Sequence, residues 1–447
     1  MVAELFEKTL KPEKVALLWH KFYRGKIEIL PKCAIRGLED FSVWYTPGVA
    51  APCREIAENE EKVYEYTNKW NTVAIVSDGS RTLGLGNIGA HAALPVMEGK
   101  ALLFKYLGGV DAFPVVLAEQ NADKIVEVVK AISPSFGGIN LEDISTPKCF
   151  YILERLQREL DIPVWHDDQL GTATATLAAL YNALKIVGKE LSDVKIALIG
   201  AGAANIATYR LLKAAGADPK RMFVVDSGGI LHRGRKDLEA EKENPYKWQL
   251  CLETNAEGRT GGIAEAMKGV DVVIAASRPG PGVIKKEWVA EMNDDAIVFA
   301  EANPVPEIWP WEAKEAGARI VGTGRSDFPN QINNSLVFPA VFRGVFTVRA
   351  RKITDEMCIA AAKALAAYAE RKGLSEDYII PKMTDSDVYP EVATAVALKA
   401  VEQGVARLKL SEEEIYEEVS RIIGETRAKL RLLMEVGFIS PPPDAAR

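Results

Sequence analysis

Two pairs of acidic residues stand near the ends of apolar runs in the first half of the chain. Glu142 and Asp143 lie in the string NLEDI, and Asp167 and Asp168 lie in WHDDQ. In open α/β sheets ligands collect at the carboxyl ends of the strands, so the two pairs could converge on one crevice. They would then offer three oxygen ligands to Mg²⁺ or Mn²⁺, which favour carboxylates over soft ligands. Each pair could equally be a solvated surface pair, and His166 could be a further ligand or could orient its neighbours.

A glycine-rich turn, GAGAAN, stands between the apolar run IALIG and a helical pattern. A strand, a tight turn and a helix N-terminus in this order present backbone amides that can hold a pyrophosphate. The expected nucleotide contacts are therefore Gly200, Gly202, Ala203, Ala204 and Asn205. Asn205 occupies a position where the G-x-G-x-x-G/A fingerprint has glycine or alanine, so we expect slightly looser packing of the helix on the strand.

An acidic residue follows this turn at the distance that dinucleotide sites require. Asp226 ends the next predicted strand, roughly twenty residues on, where an acid can hydrogen-bond the adenosine ribose. Arg233 and Arg235 could neutralise a 2′-phosphate or could simply be solvated. The choice between NAD and NADP therefore stays open. A second glycine string, residues 84–89, does not open directly from a strand, and we interpret it as a flexible loop beside a ligand.

Two alternating series of strand-like and helix-like runs must position these residues. From Thr72 to Asp168, β-rich runs alternate with helix-period runs, the pattern of βαβ units on a parallel sheet. A helix over Thr172–Val187 connects this series to a second one, which begins at Val194 and contains five apolar strand candidates. The sequence thus predicts an α/β protein with two α/β domains, the second a doubly wound, Rossmann-type nucleotide-binding domain.

Helical segments flank both series. Residues 12–23 are predicted to be helical, and the chain after Phe338 is helical almost to its end. An amphipathic segment over 412–434 could lie on the chain's own core, which we favour, or form a subunit interface. We expect a substrate and catalytic domain over residues 1–160, a nucleotide-binding domain over 161–385, and a helical segment over 386–447.

Charge and composition exclude several classes of protein. With a net charge of -7 and interleaved acids and bases there is no basic stripe, so nucleic acid is not an expected partner. No apolar stretch approaches the ~20 residues of a membrane helix, and the N-terminus lacks the pattern of a signal peptide. The five cysteines show no CxxC spacing and are expected to be reduced core residues. We therefore expect a cytoplasmic protein.

Seven strings together resemble the malic enzyme family, most closely its shorter prokaryotic form. They occur in that family's order and spacing, from about residue 12 to about residue 400: YTPGVA, SDGSRTLGLGNIG, PVMEGK, INLEDI, HDDQLGTA, EANP and INNSLVFP. The resemblance implies oxidation of malate and its decarboxylation to pyruvate, with NAD or NADP and with Mg²⁺ or Mn²⁺. We also expect the chain to form a homodimer or a higher homo-oligomer.

The resemblance implies two proton-transfer residues. The family's tyrosine acid matches Tyr45 in YTPGVA, and its general base matches Lys100 in MEGK. Asp167 falls where the family places a carboxylate beside the lysine. A lysine can accept the C2 hydroxyl proton only when it is neutral, and a nearby cation and burial both lower its pKa. Tyr45 would then protonate C3 of enolpyruvate, as a weak acid that keeps its proton at neutral pH.

The resemblance also assigns ligands for the cation. Glu142, Asp143 and Asp168 match the three metal-binding carboxylates of the family. The cation would bridge the C1 carboxylate and the C2 oxygen of malate and stabilise the negative charge that develops there.

Further positions match the family's substrate contacts. Arg81 matches a clamp on a substrate carboxylate, for which a planar guanidinium is suited. Asn303 in EANP and Asn334 in INNS match amides that hold the substrate acid, and Asn303 is also a candidate cofactor contact. Asn333 is a neighbour without an assigned role.

Two other functions are compatible with the same residues. A malolactic enzyme would use the same site and cofactor to convert malate to lactate without net redox change. A nucleotide-binding regulatory protein with a decayed site would bind cofactor without turnover. The intact base, acid and metal-binding carboxylates favour the enzyme.

Overall fold

The first part of the chain forms a four-stranded parallel sheet. The computed structural model describes residue 12, residues 15–240 and residues 244–443. Four strands occupy the first series: β1 (Thr72–Ser77), β2 (Asp111–Val116), β3 (Gly138–Leu141) and β4 (Val164–His166). Their order across the sheet is β2-β1-β3-β4, and all pairs are parallel. Every residue of β1 is buried, because helices cover both faces of the sheet.

The second part forms a six-stranded sheet of the doubly wound type. Its strands are β5 (Ile196–Ile199), β6 (Met222–Asp226), β7 (Gly229–Ile230), β8 (Val272–Ala275), β9 (Ile297–Ala300) and β10 (Ile320–Thr323). Their order is β10-β9-β8-β5-β6-β7, in which only β7 runs antiparallel to its neighbour. The strand order reverses at β5 and β8, which is where such sheets bind ligands. The predicted fold class, including the Rossmann-type second domain, is confirmed.

Helices surround both sheets and fill the end of the chain. Residues 15–23 are helical. The longer helices are Ala50–Glu58, Gly89–Gly108, Ala122–Ile132, Lys148–Glu159, Thr172–Val187, Ala203–Ala214, Pro245–Glu253, Phe338–Thr347, Asp355–Lys372, Val388–Glu402 and Glu412–Glu435. Short helices cover Phe41–Trp44, Val63–Tyr66, Lys236–Ala240, Ile263–Met267, Lys286–Val289 and Pro310–Glu315.

One long helical segment leads from the first sheet towards the second. Asp167–Gly171 forms a π-helical turn directly after β4, and the α-helix Thr172–Val187 continues it. By length and composition alone Asp167–Val187 could cross a membrane, but 78% of its most apolar window is buried inside the protein. It is therefore a core helix, and it begins at the second acidic pair. Single π-turns of this kind recur at functional sites.

The last helices return to the first sheet. Phe104 of the helix Gly89–Gly108 packs edge-on against Phe338, with ring centroids 4.6 Å apart. Gly108 permits this approach, because a β-carbon there would lie 2.5 Å from the carbonyl oxygen of Pro339. The apolar face of Glu412–Glu435 is buried against the chain's own core, as predicted.

Several expectations need correction or stay open. Cys33 and Cys53 are exposed rather than core residues, although all five cysteines are free. The two-residue strand β7 was not predicted, because so short a run has no periodicity to detect. Residues 13 and 14 of the predicted helix 12–23 lie outside the described residues. The proposed domain limits stay a prediction; β4, which follows residue 160, pairs with β3 of the first sheet.

Candidate active site

The two acidic pairs meet at the carboxyl edge of the first sheet. Leu141 and His166, the last residues of β3 and β4, are direct partners in the parallel register. The residues that follow them are consequently neighbours. Ligand oxygens of Glu142, Asp143 and Asp168 all lie within 4.8 Å of one another. The structure thus brings together the three carboxylates that the sequence assigned to a metal ion.

The chemistry of this cluster fits a hard divalent cation. Asp143 Oδ2 is buried and has no hydrogen-bond partner in the described chain, while its backbone N–H donates to Asp168 Oδ2 over 2.9 Å. Burial, followed by the charge of Asp168, raises the pKa of Asp143 to about 8. Crowded, partly unpaired carboxylates are what a cation with oxygen ligands needs. The residues present therefore fit Mg²⁺ or Mn²⁺.

Lys100 lies buried between two carboxylates of the same edge. Its Nζ is 2.6 Å from Asp167 Oδ2 and 2.9 Å from Glu142 Oε1. Burial acts to lower the pKa of Lys100, but the two carboxylates outweigh it and hold that pKa above its usual value. Lys100 is thus a charged lysine that shares Glu142 with the cation cluster.

Three further residues hold this arrangement and were not identified from the sequence. Trp165 Nε1 donates to Asp167 Oδ1 over 2.9 Å, and Asn140 Nδ2 donates to Glu142 Oε2 over 3.0 Å. Each partner is the strand residue two positions before its carboxylate, and each carboxylate follows the last residue of that strand directly. That spacing is a signal the sequence contained. The ring of Phe338, whose centroid is 4.3 Å from Lys100 Nζ, covers the lysine.

His166 is close to Asp168 but does not belong to the group of ligand atoms that Glu142, Asp143 and Asp168 form. It is fully buried, its Nε2 is 3.7 Å from Asp168 Oδ2, and neither ring nitrogen has a hydrogen-bond partner among the described residues. Burial lowers its pKa, so the ring is neutral near pH 7.

The candidate substrate residues surround the same edge. The backbone N–H of Arg81 donates to the Asp143 carbonyl over 3.0 Å. A β-carbon on Gly84 would lie 3.4 Å from the carbonyl oxygen of Asn303, so the glycine loop predicted to be flexible passes close to the Asn303 turn.

Asn334 approaches the edge from the C-terminal side. A β-carbon on Gly171 would lie 2.1 Å from Asp167 Oδ1 and 2.9 Å from the β-carbon of Asn334. Only glycine fits at that position, and the π-turn and Asn334 are therefore in close contact. Asn333 has a different role, since its Oδ1 accepts the backbone N–H of Ser335 and caps a short turn.

Tyr45, unlike the buried Lys100, lies on the exposed surface. It ends the short helix Phe41–Trp44, and 70% of its surface is exposed. Its surroundings are also exposed, including the rings of Phe41 and Trp44. The structure therefore brings the predicted base and metal ligands together but leaves the predicted acid on an open surface.

The nucleotide turn has the expected geometry, with one correction. Gly200 has a φ of 98°, and a β-carbon there would lie 2.7 Å from the Ala276 carbonyl oxygen, so glycine is required. Asn205 does not loosen the packing. It is buried, and its Nδ2 donates to the carbonyls of Ile199 and Gly200, both over 2.9 Å. Its amide ties the helix Ala203–Ala214 to β5.

Asp226, the acid predicted to bind the adenosine ribose, is paired with two basic side chains. Asp226 Oδ1 accepts from Arg235 Nη1 over 2.9 Å, and Oδ2 lies 3.2 Å from Nζ of Lys247, a residue that the sequence did not single out. Burial acts to raise the pKa of Asp226, but these partners and the Gly228 N–H outweigh it and lower the pKa. Arg233 does not share this contact, because its Nη2 donates to the Leu252 carbonyl instead.

Comparison with known proteins adds independent findings. The model for the N-terminal domain of malic enzymes matches residues 24–122 and 118–157, and the model for the malic enzyme NAD binding domain matches residues 170–403. A bifunctional malic/malolactic enzyme of Bacillus subtilis is 50% identical over 412 residues, which cover 92% of this chain and 98% of that protein.

Two more relatives extend the comparison. An NADP-dependent malic enzyme of Escherichia coli is 43% identical over 90% of this chain, which spans 54% of that longer protein. The crystal structure of the Entamoeba histolytica malic enzyme superposes with a TM-score of 0.95 at 47% identity, covering 98% of this chain and 91% of that one.

Proposed function

The chain belongs to the malic enzyme family of NAD- or NADP-dependent oxidoreductases, and we propose that it converts L-malate to pyruvate and carbon dioxide in a reaction that requires a divalent cation. The observation that carries this proposal is the position of Lys100, buried between Asp167 and Glu142 beside the three-carboxylate cluster. A base next to a hard-cation site is what oxidation of a 2-hydroxy acid needs.

Residues of the chain carry out the proton transfers and hold the substrate. When bound, the cation supplies charge stabilisation at the substrate oxygens and the nicotinamide supplies a hydride acceptor. Lys100 takes the proton of the C2 hydroxyl, and Tyr45 returns a proton to C3 after carbon dioxide has left. Arg81, Asn303 and Asn334 hold and orient the substrate carboxylates and oxygens.

Lys100 must be neutral before it can accept a proton. Asp167 and Glu142 both hold it in the charged form. Glu142 is also one of the three proposed metal ligands, so with a cation held by Glu142, Asp143 and Asp168 its negative charge would act less on Lys100, and the pKa of Lys100 would be lower. Asp167 and the Trp165 N–H that fixes it keep the amine oriented towards the substrate.

A product analysis tests the reaction directly. The protein is incubated with L-malate, Mn²⁺ and either NAD or NADP, reduced nicotinamide is followed, and the three-carbon product is identified. We expect pyruvate in step with reduced nicotinamide. Lactate without net nicotinamide reduction would instead indicate malolactic activity, the second function that the name of the Bacillus subtilis relative carries. Dinucleotide binding without any turnover of malate would contradict both.

We expect the enzyme to use both NAD and NADP, with selectivity in the group Asp226, Arg235 and Lys247. The basic side chains of Arg235 and Lys247 can bind a 2′-phosphate, whereas Asp226 can accept a hydrogen bond from a free 2′-hydroxyl. Replacing Arg235 and Lys247 with alanine should raise the KM for NADP about tenfold or more, the value of one or two lost charged contacts. The KM for NAD should change much less, as measured by initial rates with each nucleotide.

Arg233→Ala provides the matched control for that experiment. Arg233 belongs to the same loop but bonds the Leu252 carbonyl rather than Asp226, so both KM values should stay near the wild-type values. Equal losses with NAD and NADP in the double variant, or a strict NADP requirement that the double variant leaves unchanged, would place the selectivity elsewhere.

We also propose that the chain forms a homodimer or a higher homo-oligomer through its N-terminal arm, residues 15–45. Fourteen large apolar side chains of the arm are exposed: Leu17, Leu18, Trp19, Phe22, Tyr23, Ile27, Ile29, Leu30, Ile35, Leu38, Phe41, Val43, Trp44 and Tyr45. So large an apolar surface is typical of a subunit contact. The arm also carries the proposed acid Tyr45. We therefore propose that a second copy of the chain covers the arm and shields Tyr45 from water.

Light scattering after size-exclusion chromatography tests this assembly. Replacing Ile29 and Leu38 with glutamate should shift the protein towards the monomer and lower its activity. Both side chains are exposed in the single chain, so the charges should disturb the proposed subunit contact rather than the fold of one subunit. Val128→Glu, an exposed site on the helix Ala122–Ile132, serves as the control. A monomeric wild-type protein, or an arm variant with unchanged mass, would contradict the proposal.

We place the protein in the cytoplasm. Its cysteines are all free, which suits a reducing compartment. Cell fractionation followed by activity measurement tests this location, and recovery of the activity in a membrane or extracellular fraction would contradict it.

A further inference from the structure

A buried carboxyl group outside the proposed chemistry stands close to the substrate edge. Glu301 directly follows β9, and its backbone N–H donates to the Ala275 carbonyl over 2.8 Å. Its side chain is buried, and Oε2 has no hydrogen-bond partner in the described part of the chain. Two residues later comes Asn303, a proposed substrate contact, whose Nδ2 lies 3.5 Å from the Glu301 carbonyl oxygen.

The other carboxyl oxygen reaches across to the core helix. Glu301 Oε1 lies 2.8 Å from Oγ1 of Thr176, on the helix Thr172–Val187. Thr176 Oγ1 also lies 2.9 Å from the carbonyl oxygen of Thr172, one turn earlier. A hydroxyl has one proton, and a carbonyl can only accept. If Thr176 donates to Thr172, the second contact is satisfied only when Glu301 is protonated and donates to Thr176.

The surroundings favour that neutral form. Burial raises the pKa of Glu301 to about 8; the Thr176 contact opposes this shift, and the Glu307 carboxylate adds to it. Glu307 is itself buried and held by the backbone N–H groups of Ser277, over 2.8 Å, and Ala302, over 3.1 Å. In the described chain no positive side chain is paired with Glu301, while Thr176 faces it from the helix and Glu307 from the following loop.

We propose that Glu301, as a neutral carboxylic acid, is a positioning residue that fixes the Asn303 turn to the helix Thr172–Val187. This helix continues from the turn that contains Asp168, so the Thr176 contact joins two parts of the site that belong to different sheets. The assignment rests on the proposed function in taking Asn303 as a substrate contact and Asp168 as a metal ligand.

The arrangement has a consequence for the pH dependence of the reaction. Above about pH 8 Glu301 loses its proton and can no longer donate to Thr176. The buried carboxylate then competes with Thr172 for the single Thr176 proton and stays close to the carboxyl group of Glu307, whose own pKa is also raised by burial. The Asn303 turn loses its fixed position, so the KM for malate should rise on the alkaline side.

Four variants separate positioning from mere packing. Glu301→Gln keeps the shape, stays neutral, and can donate from its amide to Thr176. Glu301→Leu keeps the volume but cannot donate, and Thr176→Val removes the partner. Thr174→Val is the control, because Thr174 is buried on the same helix and bonds the Leu170 carbonyl in the same way, over 2.6 Å, without touching Glu301.

The decisive measurement is KM for malate against pH, with Mn²⁺ and dinucleotide held at saturation. We expect Glu301→Leu and Thr176→Val to raise this KM roughly tenfold at pH 7, the effect of one lost buried hydrogen bond, with kcat changed much less. Glu301→Gln should keep a KM near that of the wild type and should lose the rise above pH 8. An alkaline limb that is the same in Glu301→Gln, or a Glu301→Leu variant with wild-type KM, overturns the proposal.

Thermal unfolding supplies a readout that does not depend on turnover. A carboxyl whose pKa is raised in the folded protein contributes stability that is complete below its unfolded pKa of about 4.5 and is lost as the pH rises to its folded pKa. The Tm of the wild type minus that of Glu301→Gln should therefore fall between about pH 5 and pH 8. A difference in Tm that does not change with pH would contradict the proposal that Glu301 is neutral. Failure of the wild type to oxidise malate, with the Tm difference present, would overturn the proposed function and not the protonation of Glu301.

Discussion

Replacing Asp168 with alanine is expected to lower cation-dependent malate turnover by about a hundredfold or more, since even the outer-shell partners of metal ligands cost about 10–100-fold when they are replaced, while dinucleotide binding stays intact. Asp168 completes the cluster with Glu142 and Asp143, and its carboxylate also accepts the Asp143 backbone N–H. The nucleotide turn after β5 lies in the other sheet and does not depend on it. Steady-state kinetics, Mn²⁺ titration and NAD titration measure the three properties separately.

Two further variants make this result specific. Asp168→Asn keeps an acceptor for the Asp143 N–H but loses the charge, so it should bind Mn²⁺ weakly and remain nearly inactive. Asp123→Ala removes an exposed acid of the first domain that pairs with Arg155 and should leave activity unchanged. A folded Asp168→Ala protein with wild-type activity and Mn²⁺ affinity would show that the cluster is not the metal site.

Much of the fold followed from patterns within single elements. The first strand series was predicted because its runs are apolar, short and separated by helix-period segments, and each of the strands β1 to β4 overlaps one of these runs. The helix-period run ADKIVEVVKAI predicts a helix over residues 122–132, and the helix Ala122–Ile132 has these limits, since Asn121 caps its first turn and its apolar positions repeat with helical spacing. β7 could not be predicted, because its two residues pair with β6 only through the chain reversal between them.

The candidate site was predictable as far as strand ends could be located. Parallel strands that pair bring the residues after them together, so the two acidic pairs could be expected at one edge. Lys247 and Glu301 could not be assigned in this way. Their partners Asp226 and Thr176 are distant in sequence, and only tertiary packing places these side chains together.

Asn205 shows why a fingerprint position alone can mislead. A residue larger than alanine was expected to hold the helix away from the strand, yet its amide replaces the missing close contact with two hydrogen bonds to strand carbonyls. The free-energy cost of fitting the larger side chain is offset by the hydrogen bonds that it donates to backbone carbonyls.

Lys100 and Tyr45 are expected to fail at different steps when they are replaced. Lys100→Ala should lower malate oxidation by about a thousandfold, a typical loss for a general base, because hydride cannot leave C2 readily while the hydroxyl keeps its proton. Tyr45→Phe removes only the phenolic hydroxyl, and with it the acidic proton, from a residue that is 70% exposed, so packing should change little. Reduction of oxaloacetate should then be largely retained, whereas overall malate decarboxylation to pyruvate should fall about a hundredfold.

Isotope incorporation separates the two steps. In heavy water the wild-type enzyme should deliver deuterium to C3 of pyruvate from the protein's acid, and Tyr45→Phe should slow this protonation while oxaloacetate reduction continues. Lys105→Ala, on the same helix as Lys100 but paired with Asp111 outside the cluster, and Tyr66→Phe, another exposed tyrosine, serve as matched controls. Equal loss of both activities in Tyr45→Phe, or wild-type malate oxidation in Lys100→Ala, would contradict the division of proton transfers between these two residues.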